Sequence, residues 1–287
     1  MPSPSIDPKA CTSLLVRATR QLAAAGESLD RPRDVPAGID WIRKASRKSA
    51  QGLRGRLDAL YPAIGWMEED GAHAGTASTY WLYDAIDGAY HYLQGLPLWS
   101  SSLALVHDDR IVFSAVYSPS TKEVFMACEG RGATCNGKQI WVSSKTDLRS
   151  AVAGTAVAPV LQVGRSAQAR ALECVSAIAP QVFVLRAMAS ASLQLAFVAA
   201  GRLDLHWETG LDAQDWLAGA LLVREAGGRA SDLSGATLSA QSEGIVAAPA
   251  SLHGTIVALL HSASLTSLAI REPACSVAGS PQTGSPQ

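Results

Sequence analysis

Apolar positions along this chain switch between two periods. In residues 10–25, Leu14, Leu15, Ala18, Leu22 and Ala25 recur at helical spacing, and Gly26 follows as a stop. Residues 41–60 predict a second, more basic helix, ended at Tyr61-Pro62. Residues 103–106, 110–117 and 123–128 then form short apolar or alternating runs, parted by Asp108-Asp109 and Ser118-Pro119-Ser120. That pattern predicts an antiparallel meander. From about Ala151 helical spacing returns, with helices expected over 166–179 and 190–200, the latter closed by Gly201. Residues 212–226 give the clearest helix: Asp212 is a candidate N-cap, Asp215 sits three residues on, and Gly227-Gly228 follows. Residues 244–248 and 251–260 predict a strand and then a helix.

The ends differ from the body. Residues 1–8 are rich in Pro and Ser, and 274–287 have a turn-and-linker composition without periodicity. The expected division is a flexible tail over 1–8, an N-terminal α+β unit over 9–150, a C-terminal α/β unit over 151–270 and a disordered tail over 271–287.

Composition narrows the function. At 287 residues, 48% hydrophobic and 17% charged, the chain reads as globular. Lys+Arg number 24 against 25 Asp+Glu, a formal charge of −1, so the basic footprint of a dedicated nucleic-acid binder is missing. The leading residues lack the basic-then-apolar pattern of a secretory signal. The weakly polar run 151–164 is short for a membrane span and contains Pro159 and Gln162. Cys11, Cys128, Cys135, Cys174 and Cys275 are odd in number and include no Cys-x-x-Cys pair, which suits free thiols in a reducing compartment. A cytoplasmic protein is expected, with neither membrane nor nucleic acid as partner.

Carboxylates gather beside structure-breaking residues in three places: Glu68-Glu69-Asp70-Gly71, the run Trp81-Leu82-Tyr83-Asp84-Ala85-Ile86-Asp87-Gly88, and Glu208 with Asp215. Three residues apart, Asp84 and Asp87 would leave a regular strand on opposite faces. If the strand ends at Asp84 and the chain turns, both carboxylates and the Ile86 carbonyl can converge, and Gly88 lets backbone approach a ligand. Hard oxygen ligands in an open arrangement suit Mg²⁺. Taken singly, each feature has a plainer reading: a solvated loop, a turn, or a helix N-terminal charge favoured by the dipole.

Together the motifs resemble the inositol monophosphatase family of Mg²⁺-dependent phosphatases, over most of the chain. Residues 81–88 are similar to that family's Trp-x-x-Asp-Pro-[Ile/Leu]-Asp-Gly-Thr signature. Gly130-Arg131-Gly132-Ala133-Thr134-Cys135-Asn136-Gly137 resembles its Gly-x-Gly-Ala-x-x-Asn-Gly hairpin. Asp215 through Glu225-Ala226-Gly227-Gly228 resembles its closing helix, and Ala189-Ser190-Ala191 onward its Gly-[Thr/Ser]-Ala-Ala segment.

The resemblance implies a layered α/β/α/β/α fold of α+β class, a homodimer, and two or three Mg²⁺ ions acting on a small phosphate monoester. It implies that Asp84 bridges two ions, that Asp87 and Asp215 hold the second, and that the Ile86 carbonyl completes the first. One of Glu68 and Glu69 joins the first ion: the shape Glu-Glu-x-Gly favours Glu68, and counting from Tyr61-Pro62 favours Glu69. The Gly88 and Ala89 N–H groups would hold phosphate, with Ser190 and Glu208 on the substrate side. The implied reaction is in-line attack of activated water on an inositol-phosphate-like, sugar or nucleotide phosphate.

The chain also departs from the pattern. Ala89 replaces the signature's Thr, and Ser46 stands where a partnering Asp of a Thr-x-x-Asp motif falls, so both members of the water-activating pair are absent. Gln214 replaces a Trp and Ala85 a Pro. His91 is the nearby group that could substitute, although a hydrogen-bonded structural role is the plainer reading. The departures keep open a second reading, a degenerate member that binds metal or phosphate as a regulatory protein. The aromatic run around Tyr90, Tyr92 and Trp99 would fill core at Trp99.

Overall fold

The computed structural model describes residues 4–27, 30–67, 78–210, 213–239 and 241–270, leaving aside the side chains of 213 and 264–270. Two helices lead, α1 (Pro8–Glu27) and α2 (Val35–Leu60). Helix α2 starts earlier than its apolar spacing predicts. Asp34 caps it, accepting from the Ala37 N–H at 2.8 Å, and Pro36 in the first turn leaves no donor unsatisfied there. Ile6 and Asp7, assigned from sequence to the loose leading tail, are docked instead. Ile6 packs against the α1–α2 core, and Asp7 caps α1 while its own N–H donates to the Tyr61 hydroxyl at 2.9 Å.

Among the described residues seven strands follow, ordered along one sheet as in the chain: β1 (Gly65–Trp66), β2 (Thr79–Asp87), β3 (Ser100–His107), β4 (Arg110–Ser118), β5 (Glu123–Cys128), β6 (Ala133–Cys135) and β7 (Lys138–Gln139). The meander β3–β5 is antiparallel, as its alternation predicts. A short helix, α3 (Ala89–Gln94), interrupts between β2 and β3. Asn136-Gly137, both with positive φ, close the tight turn between β6 and β7.

The second half contains β8 (Val152–Thr155), α4 (Val160–Ile178), β9 (Val184–Ala187), α5 (Ala191–Ala199), β10 (Leu205–Thr209), α6 (Ala213–Glu225), β11 (Gly228–Ser231), β12 (Gly244–Pro249) and α7 (Ala250–Ile270). Its five strands form a mixed sheet ordered β11-β12-β10-β8-β9. Helix α6 begins where the sequence predicts; its candidate cap Asp212 lies outside the described residues.

Strand parity shows how the layers stack. On β2 and β3, Trp81, Leu103 and Leu105 face α1 and α2, whereas Tyr80, Leu82, Ala104 and Val106 face α5 and α6. On β10, Leu205 and Trp207 face the outer helices α4 and α7. Helices α5 and α6 lie between the sheets and are apolar almost all round, as a helix buried on both sides must be. The result is the five-layer α/β/α/β/α arrangement of an α+β protein. The largest apolar cluster spans both halves of the chain, so the expected units share one core.

Among the described residues, Cys11, Cys128, Cys135 and Cys174 are free thiols. No helix among those residues is long and apolar enough to cross a membrane.

Candidate metal centre

The geometry begins with an irregularity in β2. Asp84 pairs with Ser102 and Asp87 with Ser100, so Ala85 and Ile86 together oppose Ser101. This is a β-bulge: two residues against one cancel a step of the alternation. Asp84 and Asp87, which regular pleating would separate, both face the layer of α5 and α6. The sequence expectation of a strand ending at Asp84 is therefore corrected: the strand continues to Asp87 and the bulge does the aligning. Two hydrogen bonds support it. The Ser101 hydroxyl donates to the Ala85 carbonyl at 2.5 Å, and the Ile86 N–H donates to Asp84 Oδ1 at 3.0 Å. The Ile86 side chain packs with Leu22, Tyr92 and Trp99.

Asp87 then meets the N-terminus of α5. Its Oδ1 accepts the Ala191 N–H at 3.2 Å. Its Oδ2 accepts the Ser192 N–H at 2.7 Å, the Ser190 hydroxyl at 2.9 Å and the Ser192 hydroxyl at short range. Ser100 closes the cluster, 2.8 Å from the Ser190 hydroxyl and 3.0 Å from that of Ser192. Burial pushes the Asp87 carboxyl up to about 6; the Ser192 and Ser190 bonds pull against that rise, and the nearby Glu208 charge adds to it. Ser190 carries φ +66°, a left-handed backbone that a serine adopts only where its surroundings impose it. Gly88 lies close against it: a Cβ there would lie 3.0 Å from the Leu98 carbonyl and 3.3 Å from Ser190. With φ +88°, only glycine suits that position.

Helix α6 brings the third carboxylate, Asp215, in its first turn. Asp84, Asp87 and Asp215 each offer an oxygen within 4.8 Å of the others. Three carboxylates so close repel one another when ionised, and a cation relieves that repulsion. The donor set is all hard oxygen, which fits Mg²⁺ and not a softer ion. Glu208 on β10 stands beside them and accepts from Trp216 Nε1 at 3.3 Å, a bond between neighbouring elements.

Other expected site residues fall as follows. Glu68 and Glu69 lie outside the described residues. Ala89 opens α3 and packs against the apolar cluster of Leu22, Ala85, Ile86, Tyr92 and Trp99, which Trp41, Ile42 and Ala45 of α2 also border, while Ser46 is half-buried one position on. Where the family pattern places a hydroxyl–carboxylate pair, this chain thus has a methyl group and a serine, both half-buried. His91 is held by its Nδ1–H, which donates to the Leu98 carbonyl at 2.9 Å, the hydrogen bond that the plainer reading expects. Tyr92 joins Trp99 in the core: it stacks on Trp41 at 5.3 Å, meets Trp99 edge-on at 4.7 Å and donates its hydroxyl to the Leu22 carbonyl. Tyr90 is exposed.

Sequence reading missed Ser100, Ser192 and His206. The serines are anonymous until folding joins β3 to α5. The signal for His206 was its spacing, two residues before Glu208 on the same strand face.

The hairpin motif acts at a distance from the aspartates. Glu225, at the far end of α6, accepts the N–H groups of Gly130 at 2.8 Å and Gly132 at 2.7 Å. Two motifs remote in sequence thereby fix α6 against the sheet.

Comparison with known proteins agrees with this arrangement. The model of the inositol monophosphatase family matches residues 13–265. An inositol-1-monophosphatase of Mesorhizobium japonicum is 37% identical over 198 residues, 68% of this chain and 73% of that protein. A Nus factor SuhB of Xylella fastidiosa is likewise 37% identical over 198 residues, 69% of this chain and 71% of that one. Among solved structures, a Thermotoga maritima IMPase superposes with TM-score 0.77 at 25% identity, covering 90% of this chain and 98% of its own. The chain belongs to the inositol monophosphatase family.

Proposed function

We propose that this chain hydrolyses a small phosphate monoester, inositol-phosphate-like, sugar or nucleotide, with Mg²⁺ held at Asp84, Asp87 and Asp215. The observation that carries the reading is the convergence of those three carboxylates from β2 and α6 within 4.8 Å. When bound, the cation supplies positive charge that lowers the pKa of water and neutralises phosphate. Asp84, Asp87 and Asp215 would hold the ions, two or three in all, together with the Ile86 carbonyl and Glu68 or Glu69. The α5 N-terminus and its serines keep Asp87 turned toward its partners. Gly88 and Ala89 offer backbone N–H groups to the phosphate, Ser190 borders it, and Glu208 accepts a hydroxyl of the leaving group. A cytoplasmic homodimer is the setting that the family resemblance and the cysteine content support.

Ala89 and Ser46 favour a second reading, in which the fold binds metal or phosphate but serves as a regulatory protein. Relatives that carry the name Nus factor SuhB point the same way. A panel of phosphate monoesters, assayed with and without Mg²⁺ beside an Asp84→Asn control, separates the two. Metal-dependent phosphate release that the control lacks is the expected result. Uptake of Mg²⁺ or inorganic phosphate by calorimetry without release would leave the regulatory reading, and absence of uptake and release alike would remove each.

A further inference from the structure

Three histidines are buried among the described residues, and two are satisfied. His107 Nδ1 lies 2.6 Å from the Thr79 hydroxyl, and His253 Nε2 lies 2.9 Å from the Ser231 hydroxyl. His206 is the exception. It is wholly buried, and neither ring nitrogen has a hydrogen-bond partner among the described residues. An imidazole left in that condition costs about 1–3 kcal/mol, so its presence asks for a reason.

The surroundings supply one. His206 sits two residues before Glu208 on β10, opposite in parity to Leu205 and Trp207, so both polar side chains face α5 and α6. His206 Nε2 lies 3.3 Å from Glu208 Oε1, within ion-pair reach but out of line for a hydrogen bond. Glu208 Oε1 is itself buried without a hydrogen bond, while Oε2 takes the Trp216 N–H. Across the strand, Gly154 pairs with His206, and Gln194 Oε1 fills the space a Gly154 side chain would need. That oxygen is also unpartnered, although the Gln194 amide nitrogen donates to the Met188 carbonyl at 3.1 Å. Four buried polar atoms therefore lack partners on one face, and a small turn of the carboxylate satisfies two of them.

We propose that His206 is a positioning residue for Glu208, donating its Nε2–H to Oε1 so that Trp216 and His206 grip the two carboxylate oxygens and aim their remaining lone pairs at a polyol hydroxyl. The inference deepens the phosphatase reading and rests on it for the identity of the ligand. It assigns His206 to selection of hydroxyl-bearing phosphate esters, with no part in the bond-breaking step.

The test uses the full-length protein and two substrates, inositol 1-phosphate and p-nitrophenyl phosphate, which has no hydroxyl for Glu208. His206→Phe should raise KM for inositol 1-phosphate about tenfold with kcat within twofold, a loss of about 1.4 kcal/mol of binding. It should leave p-nitrophenyl phosphate kinetics within twofold, and His206→Gln, which keeps a donor, should recover most of the lost affinity. Equal damage to both substrates, damage to neither, or no recovery by Gln overturns the assignment. A separate readout covers a variant that does not fold or a parent that hydrolyses neither ester. In protein labelled with ¹⁵N-histidine, His206 should carry its proton on Nε2, and Glu208→Gln should shift that signal. A bare Nε2, or a signal indifferent to Glu208→Gln, overturns the positioning role even if hydrolysis is sound. Conversely, the Nε2–H signature without hydrolysis sinks only the phosphatase reading.

Discussion

Two corners of the site lie a few residues apart on the chain and are built in opposite ways. At Asp87 every oxygen is engaged by hydroxyl and N–H donors from α5. At Ala89, two residues later, a methyl group packs on the apolar cluster of Leu22, Ile86, Tyr92 and Trp99, which Trp41, Ile42 and Ala45 also border. The first corner keeps polar machinery that stabilises a buried charge, and the second has traded polar groups for packing. Under the proposed function, the contrast makes cation binding and water activation separable, each able to change while the other persists.

Removing charge from the polar corner should have the largest effect. Asp84→Asn should lower Mg²⁺-dependent turnover by about 10³-fold or more, equivalent to roughly 4 kcal/mol of barrier, and weaken Mg²⁺ uptake in calorimetry. The same change relieves repulsion among the three aspartates, so the metal-free midpoint of thermal unfolding should rise. Turnover that survives Asp84→Asn would mean that the cluster is not the catalytic centre.

Rebuilding the apolar corner comes next. Ser46→Asp combined with Ala89→Thr should raise kcat by about 10- to 10²-fold, part of the 10²–10⁴ that a positioned proton acceptor commonly contributes. An unchanged rate would show that packing at Trp41 and Ile42 holds the restored pair out of reach of water.

A smaller change probes the serine cluster. Ser192→Ala removes one charge-assisted bond from Asp87 and should cost the metal-free fold about 1.5–3 kcal/mol. Added Mg²⁺ should recover more of the unfolding midpoint in this variant than in the parent. The smallest effect on the site should come from Glu225→Ala, which frees the two glycine N–H groups of the hairpin. Stability should fall by about 1–2 kcal/mol while Mg²⁺ uptake stays unchanged; a large loss of uptake would show that the position of α6 is set from its far end.

Much of this was legible in sequence because it is local. Periodicity placed α1, the meander and α6, and the run from Trp81 to Gly88 marked the metal corner. The start of α2 was readable too, since Asp34 and Pro36 form an N-terminal signal, but apolar spacing drew attention to Trp41 instead. What stayed hidden depends on pairing between distant segments. The alignment of Asp84 with Asp87 is a property of β2 against β3, and no reading of β2 by itself contains it. Ser100 and Ser192 gain meaning only when β3 meets α5. Sequence left Tyr92 open between pocket and core until its stack on Trp41, about fifty residues upstream, placed it in the core.

The bulge in β2 also determines which sequence changes this family member can accumulate. Ala85 shows that a ring at that position is dispensable, since the serine hydroxyl on the neighbouring strand still grips the carbonyl. Residue count is another matter. Deleting one residue between the aspartates would restore regular pleating and leave them two apart, still on one face, but with the following glycine turn and α3 drawn back by one strand step. Inserting one would rotate Asp87 away from its serines altogether. Drift in this stretch should therefore run through substitutions, with length held constant.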